Sequence, residues 1–348
     1  MENKMKTAVM TDIGKMAFEW RDIPTPAADE ALVRVEYVGI CGSDLHFFES
    51  GRIGDFVVEP PFVLGHESGG VVVAVGENVS HLAPGDRVAL EPGKTCKVCR
   101  YCREGKYNLC PDVIFFAAPP VDGVFCHYVA HEAALCFKLP DHVSTLEGAL
   151  IEPLAVGFHA ADQGGARIGQ TAVVFGSGCI GLVSLLALKA RGVARVFVVD
   201  CMQKRLDKAL ELGADAVVDF SHQDVVATLQ ELAGADGIDL FIETSGAQAA
   251  VEQAVAAARK GAAIVMVGYN ASGIINVPMS VAMNKELRFE TVFRYRHVYP
   301  VAIAAVAAGK ADVKGIVTHT FDFDDLQRAM DESIADKAGI VKAVVRIG

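Results

Sequence analysis

Residues 171–181, TAVVFGSGCIG, decide the fold of one half of the chain. The first five residues are apolar or β-branched and predict a buried strand, and the residues after the glycines predict an apolar helix. Gly176, Gly178 and Gly181 stand in the spacing Gly-x-Gly-x-x-Gly. Between a strand and a helix, this spacing gives a tight turn, close approach of the backbone to a diphosphate, and close helix–strand packing. The stretch therefore predicts a dinucleotide site in which phosphate oxygens meet the helix N-terminus.

The next strand, ARVFVVD, ends at Asp200, nineteen residues after Gly181. A carboxylate in this position accepts hydrogen bonds from the adenosine ribose and repels a 2′-phosphate, which favours NAD over NADP. Arg205 is a further candidate for contact with this ribose. The alternative interpretation is an ordinary strand–helix turn with a surface acid and an exposed arginine.

Strands and helices alternate from about residue 169 to residue 290, which predicts a doubly wound parallel sheet of the Rossmann type. Before this segment, short valine-rich runs separated by Gly and Pro predict an irregular β-rich domain. We predict that residues 156–290 form the NAD-binding domain. Residues 1–155 and 291–348 are predicted to form the second domain, so that the overall fold class is α/β.

The composition narrows the range of functions. The chain has 348 residues, a formal net charge of −11 and 52% hydrophobic residues, which predicts a large core and disfavours nucleic acid as a partner. No apolar run reaches the roughly 18–20 residues that cross a bilayer. The sequence MENKMKTAVM lacks the pattern of a signal peptide. We therefore expect a cytoplasmic protein with no membrane partner.

The stretch 96–110, CKVCRYCREGKYNLC, carries Cys96, Cys99, Cys102 and Cys110. Structural disulfides are rare in a reducing compartment, and this spacing is typical of a metal site. Zinc suits four thiolates that close a polar loop, while an iron–sulfur cluster and redox thiols are the alternatives. Four thiolates fill the coordination shell of zinc. We therefore predict a structural zinc lobe over residues 93–112 and expect the chemistry elsewhere.

Further motifs resemble the zinc-dependent medium-chain dehydrogenase/reductase superfamily, and most closely its sorbitol (L-iditol 2-) dehydrogenase branch. The stretches CGSDLHFFESGRIGDF, PGDRVALEPG, GKYNLC, IFFAAPPVDG, KLPDHVSTLEGALIEPLAVG and VFRYRHVYPVAI carry this resemblance over nearly the whole chain. The superfamily pattern Gly-His-Glu-x2-Gly-x5-Gly-x2-Val is matched by Gly65, His66, Glu67, Gly70, Gly76 and Val79. The resemblance implies that the β-rich domain is a catalytic domain of the GroES-like type and that the four-cysteine lobe holds a structural zinc.

The resemblance also implies a catalytic zinc. Its ligands would be Cys41, His66 and a glutamate, either Glu67 or Glu152, with water or substrate in the remaining position. Asp44 would orient His66. The hydroxyl of Ser43 would relay the substrate proton, and His46 would be the next step toward solvent.

The remaining site residues follow from the same resemblance. Additional contacts to NAD are expected from Ile180, Val267, Gly268, Tyr269, Phe293 and Arg294. Substrate contacts are expected from Phe47, Phe116, Glu152, Arg294 and Tyr295, with Phe115 as a further wall of the pocket. Sorbitol dehydrogenases often carry tyrosine at the position of Phe47, which cannot donate a hydrogen bond, so the identity of the polyol stays open.

The leading hypothesis is zinc- and NAD-dependent oxidation of a polyol such as sorbitol, xylitol or L-iditol at C2, giving the ketose. L-threonine 3-dehydrogenase and 2,3-butanediol dehydrogenase are alternatives within the superfamily. A non-catalytic NAD- and zinc-binding structural or sensor protein is an alternative of another class. We expect two zinc ions per chain and, from the family, a homotetramer or homodimer.

Overall fold

The computed structural model describes residues 3–270 and 272–348. Its strands, in chain order, are β1 (Lys4–Asp12), β2 (Lys15–Asp22), β3 (Glu30–Gly39), β4 (Arg52–Ile53), β5 (Phe56–Val57), β6 (Glu67–Val75), β7 (Arg87–Leu90), β8 (Gly93–Lys94), β9 (Ile114–Phe115), β10 (Tyr128–Glu132), β11 (Cys136–Lys138), β12 (Thr171–Phe175), β13 (Arg195–Asp200), β14 (Ala216–Asp219), β15 (Leu240–Glu243), β16 (Ala263–Met266), β17 (Arg288–Thr291), β18 (His319–Asp322) and β19 (Ala343–Arg346). Its helices are α1 (Gly42–Ser50), α2 (Arg100–Arg103), α3 (Thr145–Gly164), α4 (Cys179–Ala190), α5 (Gln203–Glu211), α6 (Val225–Ala233), α7 (Gln248–Ala257), α8 (Met279–Asn284), α9 (Tyr299–Ala307) and α10 (Leu326–Ala335).

The chain divides into two compact units. The first unit contains residues 1–152, 299–307 and 317–348, and the second contains residues 153–298 and 308–316. The first division falls inside α3, three residues before the boundary at 155 that we expected from sequence. The second falls eight residues after the expected one, since the segment that follows β17 also stays with the second unit.

The second unit is built on a six-stranded parallel sheet. The strand order is β14-β13-β12-β15-β16-β17, which is the order 3-2-1-4-5-6 of a doubly wound dinucleotide fold. The three central strands β13, β12 and β15 are nearly continuous apolar runs, as expected for strands covered on both faces. Successive strands are added to one side of β12 up to β14 and to its other side from β15 onward, and the carboxyl ends of strands at such a switch point form a ligand crevice. The fold class predicted from the glycine motif is confirmed.

The first unit is β-rich, and one long strand organises it. The first half of β3 pairs with β10 and its second half with β19, while β6 lies along its other edge. This register places Gly39, at the end of β3, opposite Glu67 at the start of β6 and Val344 of β19. Phe48, Phe125 and neighbouring apolar side chains form the core beside this sheet. The ends of β3 and β6 are thereby fixed close together.

Candidate metal centres and coenzyme site

Three predicted metal ligands meet where β3 and β6 come together. Cys41 lies two residues after the end of β3 and directly before α1, whereas His66 precedes β6 and Glu67 is its first residue. One ligand atom from each of the three side chains lies within 4.8 Å of the others. His66 and Glu67 are buried, and Cys41 is half-buried. The pairing of β3 with β6 therefore brings together residues that lie 25 positions apart in sequence.

Asp44 ties the two segments that carry these ligands. Its carboxylate, which is fully buried, accepts hydrogen bonds from the backbone N–H of Cys41 at 3.0 Å and of Gly65 at 2.9 Å. Its Oδ1 also lies 3.6 Å from Nδ1 of His66. The aspartate thus restrains the thiol and the imidazole at once, which is how a residue behind a metal ligand fixes its orientation.

The electrostatics of His66 suit a site that gains a cation. Burial by itself lowers the pKa of His66, but the charges and hydrogen bonds of Asp44 and Cys41 outweigh it and raise the pKa well above its ordinary value. In the same pair, burial acts to raise the pKa of Asp44, and the neighbouring His66 brings it below its usual range. The pocket therefore favours positive charge, and a metal ion would take the place of the imidazole proton.

The donor set fits zinc. A thiolate, an imidazole and a carboxylate are the ligand types that Zn²⁺ takes in catalytic sites, where three protein ligands leave one position open. The cluster offers these three donors and no further cysteine or histidine among the described residues. Cys41, His66 and Glu67 would hold the ion.

The remaining candidates of this centre lie around the three ligands. Glu152 is buried in α3 but does not belong to the cluster whose ligand atoms meet within 4.8 Å, so Glu67 is the nearer carboxylate and coordination by Glu152 stays a prediction. Ser43 is half-buried in the first turn of α1, and His46 is exposed one turn later. Residues three apart on a helix share a face, which suits a path from the interior to solvent.

Glu91 is a buried acid that sequence reasoning left without a role. Its Oε1 accepts a 2.8 Å hydrogen bond from the hydroxyl of Tyr107, which belongs to the four-cysteine lobe. Burial raises the pKa of Glu91 to about 7, the Tyr107 hydrogen bond opposes this, and the charge of Glu152 adds to it. Glu91 lies in the motif PGDRVALEPG, directly after the apolar residues VAL, and this position was the signal in the sequence for burial of Glu91.

His131 packs beside Glu91 and gives the fold an acid-sensitive group. Its buried ring donates through Nε2 to the carbonyl of Glu91 at 2.8 Å, and it packs at a tilt of 44° against the ring of Phe116, with the ring centroids 4.6 Å apart. Burial lowers the pKa of His131 to about 4, and the hydrogen bond to Glu91 opposes this.

We expect the free energy of unfolding to fall as the pH is lowered, because His131 takes up a proton more readily in the unfolded chain than in the folded one. The unfolded chain takes up a proton near pH 6.5 and the folded chain only near pH 4, so stability is lost as the pH falls through this window. The full effect is roughly 3 kcal/mol, about 2.5 pKa units at ~1.36 kcal/mol each. Urea unfolding at pH 7.5 and 4.5 measures the effect. The free energy of unfolding of His131→Gln, relative to that of the wild type, should be higher at pH 4.5 than at pH 7.5. The exposed His142→Gln is the control, and a pH-independent gap for His131→Gln contradicts the expectation.

The four cysteines of the lobe form a second cluster. Their sulfur atoms lie within 4.8 Å of one another, and all are free thiols, with the sulfurs of Cys96 and Cys110 3.5 Å apart. Backbone N–H groups donate to the sulfurs. The N–H of Cys99 donates to the sulfur of Cys96 at 3.3 Å, and the N–H of Cys102 donates to the sulfur of Cys99 at 3.5 Å. Hydrogen bonds that the Cys96 sulfur accepts from the backbone N–H groups of Val98 and Cys99 lower the pKa of Cys96 to about 7. Four sulfurs so arranged fit a closed tetrahedral zinc site.

The glycine motif forms the predicted turn at the carboxyl end of β12. Gly176 has a φ of +87°, which favours glycine. A Cβ on Gly181 would lie 1.8 Å from the carbonyl oxygen of Gly176, so helix α4 packs against the turn only with glycine there. A cavity of about 420 Å³ adjoins the turn, and Gly178, Asp200 and Arg205 are among its lining residues. The crevice at the strand reversal thus has the walls of a nucleotide site.

The carboxylate of Asp200 already accepts hydrogen bonds from neighbouring residues of the chain, which its position in the sequence did not predict. Its Oδ2 accepts from the N–H of Ser177 at 2.6 Å and from its hydroxyl at 2.8 Å. Its Oδ1 accepts from the N–H groups of Cys201 at 2.7 Å and Met202 at 3.0 Å. A carboxylate has about four acceptor positions, so a ribose hydroxyl would replace one of these donors. The Ser177 hydroxyl is the donor that can rotate away.

The other predicted coenzyme residues belong to the second unit. Ile180 lies in the first turn of α4, and Val267 and Gly268 follow β16 half-buried. Tyr269 and Phe293 are exposed, and the guanidinium of Arg294 stacks 4.9 Å from the Phe293 ring. Their contacts with a coenzyme stay predictions.

The predicted substrate residues have different surroundings. Phe47 is buried in the core of the first unit, and Phe116 packs against the same core, so their contacts with a substrate stay predictions. The ring of Phe115 lies 5.8 Å from that of His66. Arg294 and Tyr295 lie in the second unit, where Tyr295 is buried.

Comparison with known proteins identifies the family. Residues 27–141 match the alcohol dehydrogenase GroES-like domain, and residues 179–308 match the zinc-binding dehydrogenase domain. The chain therefore belongs to the zinc-dependent medium-chain alcohol dehydrogenases and is an oxidoreductase of that type.

Individual relatives agree with this assignment. The chain is 43% identical to an uncharacterized zinc-type alcohol dehydrogenase-like protein of Escherichia coli, with 99% of each chain covered. It is 44% identical to human sorbitol dehydrogenase, covering 94% of this chain and 91% of the human enzyme. The crystal structure of an E. coli oxidoreductase of unknown specificity matches with a TM-score of 0.95 and 43% identity over 99% of both chains. The resemblance inferred from the motifs is confirmed. No helix within the described ranges has both the length and the apolar character that crossing a membrane requires.

Proposed function

We propose that the protein oxidises a polyol at C2 to the ketose, using zinc as the catalytic metal and NAD as the hydride acceptor. The observation that carries the proposal is the cluster of Cys41, His66 and Glu67, with ligand atoms within 4.8 Å of one another. The 44% identity to a sorbitol dehydrogenase supports the choice of a polyol.

The metal accounts for the largest part of the chemistry. Zinc lowers the pKa of a coordinated hydroxyl from about 16 to about 7, roughly 12 kcal/mol at ~1.36 kcal/mol per pKa unit. A hydrogen bond from Ser43 contributes only ~1–3 kcal/mol. The chain's part is to hold the ligands, and the bonds from Cys41 and Gly65 to Asp44 do this for both segments.

The chain's own groups then move the proton. NAD, when bound, would accept the hydride from C2, and the proton of the substrate hydroxyl would have to reach solvent. Ser43, half-buried two residues after Cys41, would accept this proton and release its own toward the exposed His46 on the same face of α1, which would pass it to water. His46 thus acts at the surface end of the path.

Substrate and coenzyme selectivity are assigned to separate groups. Arg294 carries several donors in a fixed plane, which suits the neighbouring hydroxyls of a polyol, and Phe47, Phe116 and Tyr295 are the other residues proposed to contact the substrate. Asp200 favours NAD because its carboxylate would face a 2′-phosphate with like charge. Glu152 is proposed to hold water or substrate near the metal.

A substrate panel tests the proposal. We expect turnover of sorbitol or xylitol with NAD, with kcat/KM at least about tenfold above that with NADP. Total metal analysis should give two zinc ions per chain. Steady-state rates with L-threonine and 2,3-butanediol are measured beside the polyols.

The outcomes separate the candidates. Faster turnover of L-threonine or butanediol transfers the assignment to those dehydrogenases. Binding of NAD and zinc without turnover of any secondary alcohol contradicts an enzymatic role and favours a structural or sensor protein.

We also propose, from the family, that the protein assembles as a homotetramer or homodimer. Light scattering on the purified protein measures the assembly directly. A monomer at micromolar concentration contradicts this part of the proposal.

A further inference from the structure

A buried lysine stands behind the candidate catalytic metal site. Lys342, which directly precedes β19, is 2% exposed, and Glu67 is 1% exposed. The Lys342 Nζ donates to Glu67 Oε1 at 2.6 Å and lies 2.5 Å from Oε2. Oε2 accepts no properly directed hydrogen bond among the described residues. The ammonium group thus lies close to both oxygens of the carboxylate. It donates a hydrogen bond to Oε1, whereas Oε2 can still accept one.

The surrounding backbone leaves room for this ion pair. Gly39 lies opposite Glu67 in the β3–β6 pairing. A Cβ on Gly39 would lie 2.0 Å from Oε2 of Glu67 and 3.0 Å from Cε of Lys342. Any side chain at Gly39 would displace the carboxylate, so the position of the pair depends on glycine in this place.

The same ammonium group reaches the other ligand segment. Lys342 Nζ also donates to the carbonyl of Ile40 at 2.9 Å, and Ile40 is the residue before Cys41. One side chain therefore contacts both strand ends that supply metal ligands. Burying two ions costs several kcal/mol each, which their attraction often fails to recover. A role beyond stability therefore has to be sought for the pair.

We propose that Lys342 is a positioning residue that competes with the metal for the carboxylate of Glu67. The inference rests on the proposed function, in which Cys41, His66 and Glu67 bind zinc. The thiolate of Cys41 and the carboxylate of Glu67 together neutralise a divalent cation, and the ammonium group draws the carboxylate the other way. Glu67 is then a weak, exchangeable ligand, and a position stays open for the substrate oxygen.

Zinc release tests this inference without measuring turnover. The holoenzyme is mixed with a chromophoric chelator, and the catalytic zinc is the release phase absent from Cys41→Ser. In Lys342→Met the ammonium group no longer holds the Glu67 carboxylate, which then binds the metal more firmly, so we expect release at least about fivefold slower than in the wild type. Lys310→Met, at an exposed site, is the charge-matched control.

A double-mutant cycle separates competition from general structural damage. In a Glu67→Gln background the carboxylate is absent, so Lys342→Met should change the release rate less than about twofold. If Lys342→Met does not fold, Lys342→Gln takes its place, because it removes the charge and keeps a donor for Ile40. The cobalt-substituted proteins give a second readout, since their visible spectrum reports the coordination of the metal.

Each result decides between two accounts. Slower release that depends on Glu67 supports competition by Lys342. Unchanged or faster release in the charge-removing variant, or the same slowing in the Glu67→Gln background, overturns it. A wild-type protein with no release phase dependent on Cys41 contradicts the proposed metal site itself and not merely the role of Lys342.

Discussion

Replacing Cys41 with serine is expected to lower kcat by at least about a thousandfold, equivalent to roughly 4 kcal/mol, and to leave the fold intact. The hydroxyl of serine does not replace a thiolate as a zinc ligand at neutral pH, because the thiolate is the form that binds. Without the metal, no group among Ser43, His46 and Glu67 matches the acidification of the substrate hydroxyl. Steady-state rates, zinc content and circular dichroism measure the three parts of this expectation.

Cys136→Ser is the matched control for Cys41→Ser. Cys136 is also a free cysteine of the first unit, but it is buried in an apolar cluster and belongs to neither metal group. We expect this control to retain two zinc ions and most of the activity of the folded protein. Full activity in Cys41→Ser contradicts the catalytic role of this thiol.

Replacing Cys99 with serine is expected to remove one zinc per chain and to lower the melting temperature by roughly 10 °C. The loop 93–112 is polar and has little core of its own, and structural zinc contributes about 10–16 kcal/mol to the folding of small zinc peptides. The larger fold limits the loss, because the loop can open locally while the sheets persist. Calorimetry, metal analysis and limited proteolysis within the loop measure the effect.

Activity distinguishes Cys99→Ser from Cys41→Ser. At a temperature where the Cys99→Ser protein is folded, we expect kcat within about fivefold of the wild type, because the lobe lies outside the reacting groups. If Cys99→Ser abolishes turnover in folded protein while Cys41→Ser only lowers stability, the division of the cysteines into catalytic and structural sets is reversed.

The glycine motif predicted the first strand, turn and helix of the sheet because its geometry is local, and the alternation of strands and helices up to residue 290 predicted the rest of the second unit. Gly176 turns with positive φ and Gly181 contacts the turn directly, so strand, turn and helix are all determined within eleven residues. The end of the unit was not predictable in this way. The segment after β17 stays with the second unit up to Val298, and this depends on packing between residues far apart in sequence.

The site was predictable only where a short motif carries it. Cys41, His66 and Glu67 lie in recognisable motifs, and the pairing of β3 with β6 brings their ligand atoms together. Lys342 lies 275 positions from Glu67, and a single lysine in the apolar run IVKAVV was the sole signal of its burial. The motif also predicted a substrate contact for Phe47, whose ring is buried in the core of the first unit, and this contact stays a prediction.

The measurement that tests the central claim most directly is anomalous diffraction at the zinc edge from crystals of the protein with NAD and a polyol. We predict two zinc peaks per chain, one among the four cysteines of the lobe and one bonded to both Cys41 and His66, with an oxygen of the polyol in its open position. A single peak at the lobe, with Cys41 and His66 binding no common ion, would contradict the account.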